Sequence, residues 1–231
     1  MINGLRVKPE IERNTKVLDD VIKSIIRLYH NYKVMFIYYG GSLAYGTYID
    51  GKGDIDLEVF IDGIPYAHKS EYCDVDLFIY PKEYITKRFD MNDSLNNYRK
   101  SFADVYLGLP GTLVYLNEDY KKELEEYMSF DFKKILPEFL DQFIDYYGFC
   151  LEDAESLGKK FYHIIRMRGQ LERYLETGRF GFEVDEGYRE EMLDFKCNWN
   201  NKEKNKIYSR KIKNYFEEIK KIKEELGHEQ S

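Results

Sequence analysis

Apolar and polar positions alternate along this chain with two different periods, and the change from one to the other divides it in half. Over residues 9 to 31, Val17, Leu18, Val21, Ile22, Ile25, Ile26 and Leu28 recur with a period near 3.6, and Pro9 stands where a first helical turn tolerates proline. This predicts a surface helix packed along one side. The run VMFIYY at 34–39 is rich in β-branched and aromatic residues and stops at Gly40 and Gly41, which predicts a buried strand. Residues 42 to 46 fit either the first turn of a helix or a tight loop. DIDLEVFI at 54–61 alternates acidic and apolar residues, so Asp54, Asp56 and Glu58 are expected on one face of a second strand. EYCDVDLFIY at 71–80 alternates too and is read as one strand with Asp74 and Asp76 on a common face.

A helical piece is expected after Pro81, a helix over 94–107, and a short β-like run, GTLVYL, at 111–116. From about 119 onward only the helical period is found, in segments 119–129, 137–147, 151–177 closing at Gly178, 185–196 and 203–226. The expected fold is therefore α/β (α+β): a small mixed sheet flanked by helices, followed by an all-helical C-terminal half. The boundary is placed between a domain at 1–118 and one at 119–231.

Composition narrows the function classes. The chain has 231 residues and a formal net charge of -7, so its summed field repels phosphate polymers and gives no support for non-specific nucleic-acid binding. Three cysteines, Cys73, Cys150 and Cys197, lack the paired spacing of zinc sites or disulfide frameworks and are expected as free thiols in a reducing compartment. The N-terminal residues are polar and charged, and no apolar run approaches the roughly 20 residues of a membrane span, so no membrane partner is expected and the chain is read as cytoplasmic.

The acidic strand carries the candidate chemistry. Two carboxylates two residues apart on a strand lie side by side, and both remain ionised most readily with a cation between them. Mg²⁺ suits such a face because it takes hard oxygen ligands from a few carboxylates, water and substrate phosphates. Asp76, flanked by Val75 and Leu77, is the choice for a third carboxylate from a neighbouring strand, with Asp74 and Glu58 in reserve. Gly41 and Ser42 then present a backbone without an intervening Cβ, together with a hydroxyl, to an anion. A Gly-Gly turn alone, or alternating aspartates alone, reads as structural. Joined as Gly-Ser after an apolar strand, eleven residues, Asp-apolar-Asp-apolar, and a further apolar-Asp-apolar strand, they form a pattern with few accidental matches. The stretch GGSLAYG lacks the ending of a P-loop, and DGKGDIDLE does not match an EF-hand loop.

The string Gly41-Ser42, positions 43 to 53, then Asp54-Ile55-Asp56-Leu57, with VDLF at 75–78, resembles the signature of the DNA polymerase β-like nucleotidyltransferases. It is especially similar to the predicted nucleotidyltransferases of bacteria and their phages and to minimal nucleotidyltransferases; the resemblance covers positions 34 to 80. It implies a catalytic and metal-binding set of Asp54, Asp56 and Asp76, with Mg²⁺ or Mn²⁺ as cofactor. It also implies a nucleoside triphosphate substrate, ATP first, whose nucleoside monophosphate passes to an acceptor hydroxyl with release of pyrophosphate. The acceptor is an RNA 3' end, a protein or a small molecule. KKFYHIIRMRGQLERYLETGRF at 159–180 resembles a helix of the same group, which implies that Lys160 and His163 face the nucleotide phosphates with Arg166 assisting. Phe161, Ile164, Ile165, Leu171 and Leu175 give the same helix a core-packing stripe. Two departures stand out: Gly53 occupies the place before Asp54 where many relatives have serine, and His68 and Lys69 fall in a connecting loop with no assigned role.

A competing reading is an antitoxin-like or catalytically silent module of this fold that acts through a protein partner. Lys204, Lys206, Arg210, Lys211 and Lys213, interleaved with Tyr208 and Tyr215, have the composition of an RNA-holding surface. Ile212, Phe216, Ile219, Ile222 and Leu226 favour instead a packed terminal helix with a solvated face.

Overall fold

The computed structural model describes residues 9–49, 55–72, 74–87, 112–128, 136–152, 158–181 and 184–228. The described residues up to Met128 form one compact unit and those from Leu136 onward a second. The predicted helix at 94–107 lies outside the described residues.

In the first unit, helix α1 (Pro9–Leu28) leads into strand β1 (Lys33–Tyr39), a single turn of helix α2 (Gly41–Ala44), and strand β2 (Ile55–Asp62). Strands β3 (His68–Tyr72) and β4 (Val75–Pro81), the short helix α3 (Tyr84–Lys87), strand β5 (Leu113–Leu116) and helix α4 (Lys121–Met128) complete it. The five strands form one mixed sheet in the order β3-β4-β2-β1-β5. The pairs β1/β2, β1/β5 and β3/β4 are antiparallel, and β2/β4 is parallel.

Period-two alternation on β2 and β4 sorts side chains to two faces. Leu57, Val59, Ile61, Val75, Leu77 and Ile79 join Val34 and Ile37 against Leu18, Val21, Ile22 and Ile25 of α1. Val34 and Ile37 are three apart yet share this face because the β1 register slips between Val34 and Phe36, the signature of a bulge. The opposite face is aromatic: Phe36 stacks on Phe60 with ring centroids 4.7 Å apart, and Tyr80 lies tilted against Phe60 at 5.2 Å. Tyr84 of α3 and Tyr127 of α4 cover them, and the Tyr127 hydroxyl meets that of Tyr38 at 2.6 Å. Through Tyr127, α4 belongs to the first unit, so this unit extends past the expected boundary at residue 118.

Phe60 sits at the centre of this cluster with no exposed surface. Phe60→Ala is expected to lower stability by about 3–5 kcal/mol, because the surrounding rings cannot close the space it leaves. Urea unfolding followed by fluorescence measures this; a loss below about 1 kcal/mol would mean the cluster is loosely packed.

The single strand expected over 71–80 is a hairpin instead. The chain reverses at Asp74, which has a φ of 62°, and Tyr72 pairs with Val75. Asp74 is therefore an exposed turn residue and does not share a strand face with Asp76. An aspartate tolerates this left-handed conformation better than most side chains, and a two-period pattern runs through such a short turn undisturbed.

The second unit is built from α5 (Leu136–Glu152), α6 (Tyr162–Thr177), α7 (Glu186–Asn198) and α8 (Lys202–His228). The helix expected over 151–177 is divided: α5 ends at Glu152, Gly158 is extended, and a 3₁₀ turn at Lys159–Phe161 starts α6. Helix α6 closes at Gly178 in the left-handed conformation, its N–H donating to the Tyr174 carbonyl at 2.7 Å. The stripe on α8 is packed, with Ile212, Phe216, Ile219, Ile222 and Leu226 all buried. Of the five basic residues Lys204, Lys206, Arg210, Lys211 and Lys213, Lys204 pairs with Asp194 and Lys211 with Glu191. This favours the packed terminal helix over the RNA-holding surface. Among the described residues, Cys150 and Cys197 are free thiols, and no helix is long and apolar enough to cross a membrane.

Candidate functional site

Parallel pairing of β2 with β4 sets Asp56 opposite Asp76. Registered partners on neighbouring strands project to the same side, and the strands run about 4.8 Å apart, so the two carboxylates stand together at one end of the aromatic face. Glu58, two residues along β2, lies between this acidic end and Phe60 and is buried. Asp54 immediately precedes β2 and lies outside the described residues, so the expected face is described for Asp56 and Glu58 only.

The Gly-Gly pair has a specific steric role. Tyr38 pairs with Glu58 and Tyr39 with Leu57, and the Gly40 N–H continues the ladder to the Asp56 carbonyl at 2.9 Å. The backbone leaving β1 therefore passes directly over the two β2 carboxylates. A Cβ at Gly40 would stand 2.5 Å from Glu58 Oε1, and one at Gly41 would overlap Asp56 Oδ2 and come within 2.8 Å of its Cγ. Gly41 also has a φ of +51°, which disfavours any side chain. Of the two readings of 42–46, the helical turn is the one found: α2 begins at Gly41, and Ser42 is buried within it, its carbonyl accepting the Thr47 N–H at 2.9 Å. The segment called for by the acidic strand is thus built against it.

Among the described residues, Lys69 reaches the acidic end. The Lys69 ammonium donates to Asp76 Oδ2 at 2.7 Å and lies 5.2 Å from the Phe78 ring centroid. Lys69 pairs with Phe78 across β3/β4, so its side chain shares the face of Asp76. Sequence reading placed Lys69 in a loop. The hairpin was the signal: once Tyr72 pairs with Val75, counting back puts Lys69 diagonal to Asp76.

Lys160, His163 and Arg166 belong to the second unit, and the structure gives them three different settings. Lys160 is exposed, with its ammonium 3.1 Å from Cys150 Sγ and 5.4 Å from the Tyr146 ring centroid. His163 retains an exposed edge, but its Nδ1 is enclosed and has no hydrogen-bond partner. Arg166 is buried. Burial holds the His163 pKa well below 6.5, and the positive charges of Arg166 and Lys196 add to this. The imidazole is therefore neutral near pH 7, and as an anion ligand it would offer one N–H and no charge.

That depression carries a stability prediction. Below pH 6.5 the unfolded chain takes up a proton that folded His163 refuses, so stability falls as pH drops from 6.5 toward the lower folded value. The slope is at most about 1.4 kcal/mol per pH unit for one proton. Urea unfolding at pH 7.5, 6.5 and 5.5 should show this loss in the native chain and a shallower one in His163→Gln; equal slopes would place the titration elsewhere.

As a metal site, the acidic end supplies anionic oxygen donors of the kind Mg²⁺ and Mn²⁺ prefer. Among the described residues no three His, Cys, Asp or Glu side chains group as metal ligands. Asp56 and Asp76 are thus two of the three expected carboxylates, and Asp54 remains the third by sequence alone. No model of a known protein family matches the chain, and no curated protein shows significant similarity to it.

Proposed function

We propose that the first unit is a nucleotidyltransferase that moves a nucleoside monophosphate from a nucleoside triphosphate to an acceptor hydroxyl and releases pyrophosphate. The observation that carries this reading is the in-register pair Asp56 and Asp76 with the Gly40-Gly41 backbone packed directly on it. Asp56 and Asp76, with Asp54 by sequence, would hold Mg²⁺ or Mn²⁺. Such an ion promotes deprotonation of the acceptor hydroxyl and neutralises charge on the phosphates.

The chain's own residues contribute position and space. Two strands of one sheet hold Asp56 and Asp76 at a fixed separation, so their shared geometry survives substrate exchange. The absence of side chains at Gly40 and Gly41 lets main chain approach the carboxylates more closely than other residues permit. Ser42 follows immediately and is the hydroxyl nearest in sequence to this approach. ATP is the first nucleotide to test, and the acceptor classes are an RNA 3' end, a protein hydroxyl and a small molecule.

The test is incubation of the purified protein with each α-labelled nucleoside triphosphate and Mg²⁺, with and without total RNA and cell extract. Label on an acceptor, absent with Asp56→Asn, is the expected result, and the size and nuclease sensitivity of the product identify the acceptor class. Absence of both transfer and triphosphate binding would overturn the enzyme reading and leave a module that acts through a protein partner.

A further inference from the structure

A lysine on an edge strand ordinarily blocks pairing with other chains, and Lys69 does more than that. It lies on the edge strand β3, half of its side chain is exposed, and its ammonium is aimed inward at Asp76 Oδ2 2.7 Å away. The pair adds little to fold stability, because the half-exposed ammonium keeps much of its hydration and a long side chain is ordered to form it. Its consequence is local. The ammonium offsets the repulsion between two carboxylates held in register, and it occupies an oxygen of Asp76 that a divalent ion would use.

An ammonium and a divalent cation on one carboxylate repel each other strongly at such range. A divalent ion held by Asp76 would therefore displace Lys69. The side chain can move because its four-carbon stem is flexible, and the Phe78 ring beneath it offers a surface over which it stays near the site. The incoming metal-nucleotide carries several phosphate oxygens, which suit an ammonium released from a carboxylate.

We propose that Lys69 is a positioning residue that holds Asp76 before the metal arrives and then transfers its ammonium from Asp76 to the polyphosphate of the bound nucleotide. The proposal rests on the nucleotidyltransferase reading and deepens it: the lysine makes metal and nucleotide binding cooperative, so that free metal binds weakly and metal with nucleotide binds well.

Lys69→Met retains the apolar stem over Phe78 and removes only the charge, and far-UV circular dichroism with thermal melting verifies its fold. The probes are Mn²⁺ alone, followed by electron paramagnetic resonance of free Mn²⁺, and α,β-methylene-ATP in saturating Mn²⁺, followed by calorimetry. The variant is expected to bind Mn²⁺ about fivefold more tightly than the native chain without nucleotide, and the analogue about tenfold more weakly. Loss of the charge from a purely structural ion pair would also tighten Mn²⁺ binding but would not weaken the analogue, so the analogue's constant is the discriminating readout. If the native chain binds Mn²⁺ and the variant binds it no more tightly, or binds the analogue equally well, the lysine's role is overturned and the nucleotidyltransferase reading stands. If the native chain binds neither Mn²⁺ nor analogue, that reading falls and the proposal falls with it.

Discussion

Gly41→Ala is expected to lower the proposed nucleotidyl transfer at least about 100-fold and stability by about 2–4 kcal/mol. Two separate effects combine. The residue has a φ of +51°, where a Cβ meets its own backbone, and the new methyl group would overlap Asp56 Oδ2. Relief requires either α2 to lift away from β2 or the Asp56 carboxylate to rotate out of line with Asp76, and both disturb the acidic end. Gly178→Ala separates the contributions. Gly178 has a similar φ of +69° and nothing within 4 Å of where its Cβ would stand, so it should cost about 1 kcal/mol and leave transfer unchanged. Thermal melting and label transfer on the two variants make the comparison. Equal behaviour would mean that backbone strain alone matters and that the close approach to Asp56 has no functional part.

Asp56→Asn should reduce label transfer by more than about 100-fold while leaving the melting temperature nearly unchanged. Residues that only support metal ligands already cost about 10–100-fold when replaced, so loss of a carboxylate proposed as a ligand should exceed that range. The amide keeps the size of the side chain, and the backbone carbonyl of Asp56 still accepts from Gly40. Removing one of two in-register negative charges also relieves the repulsion between them. Retained transfer in this variant would exclude Asp56 from the reaction. A large drop in melting temperature would mark it as a structural residue, and the site would then need to be sought elsewhere in the first unit.

Most elements were legible as hydrophobic periodicity, because burial of one face is a local requirement written every second or every third to fourth residue. The β2 alternation, the α1 stripe, the α8 stripe and the glycine stop of α6 were all read this way. Periodicity failed where a local event interrupted a pattern without changing it. The reversal at Asp74 kept the two-period alternation and so hid the β3/β4 hairpin, and the break before Lys159 fell between two segments of similar helical character. The same limit misplaced Asp74 on a strand face and left Lys69 in a loop.

Residue order alone dictates which residue types are on offer: a Gly-Gly-Ser stop after a buried strand, aspartates in alternation with apolar residues, and helices with one buried face. Tertiary structure alone decided their meeting. Asp56 faces Asp76 because β2 pairs with β4 in parallel and in one register, and Lys69 reaches Asp76 because β3 folds back on β4. Strand neighbours and register are long-range choices, fixed by how the whole sheet buries its two faces. A one-residue slip of β4 would have turned Asp76 toward the apolar helix α1 and separated the pair.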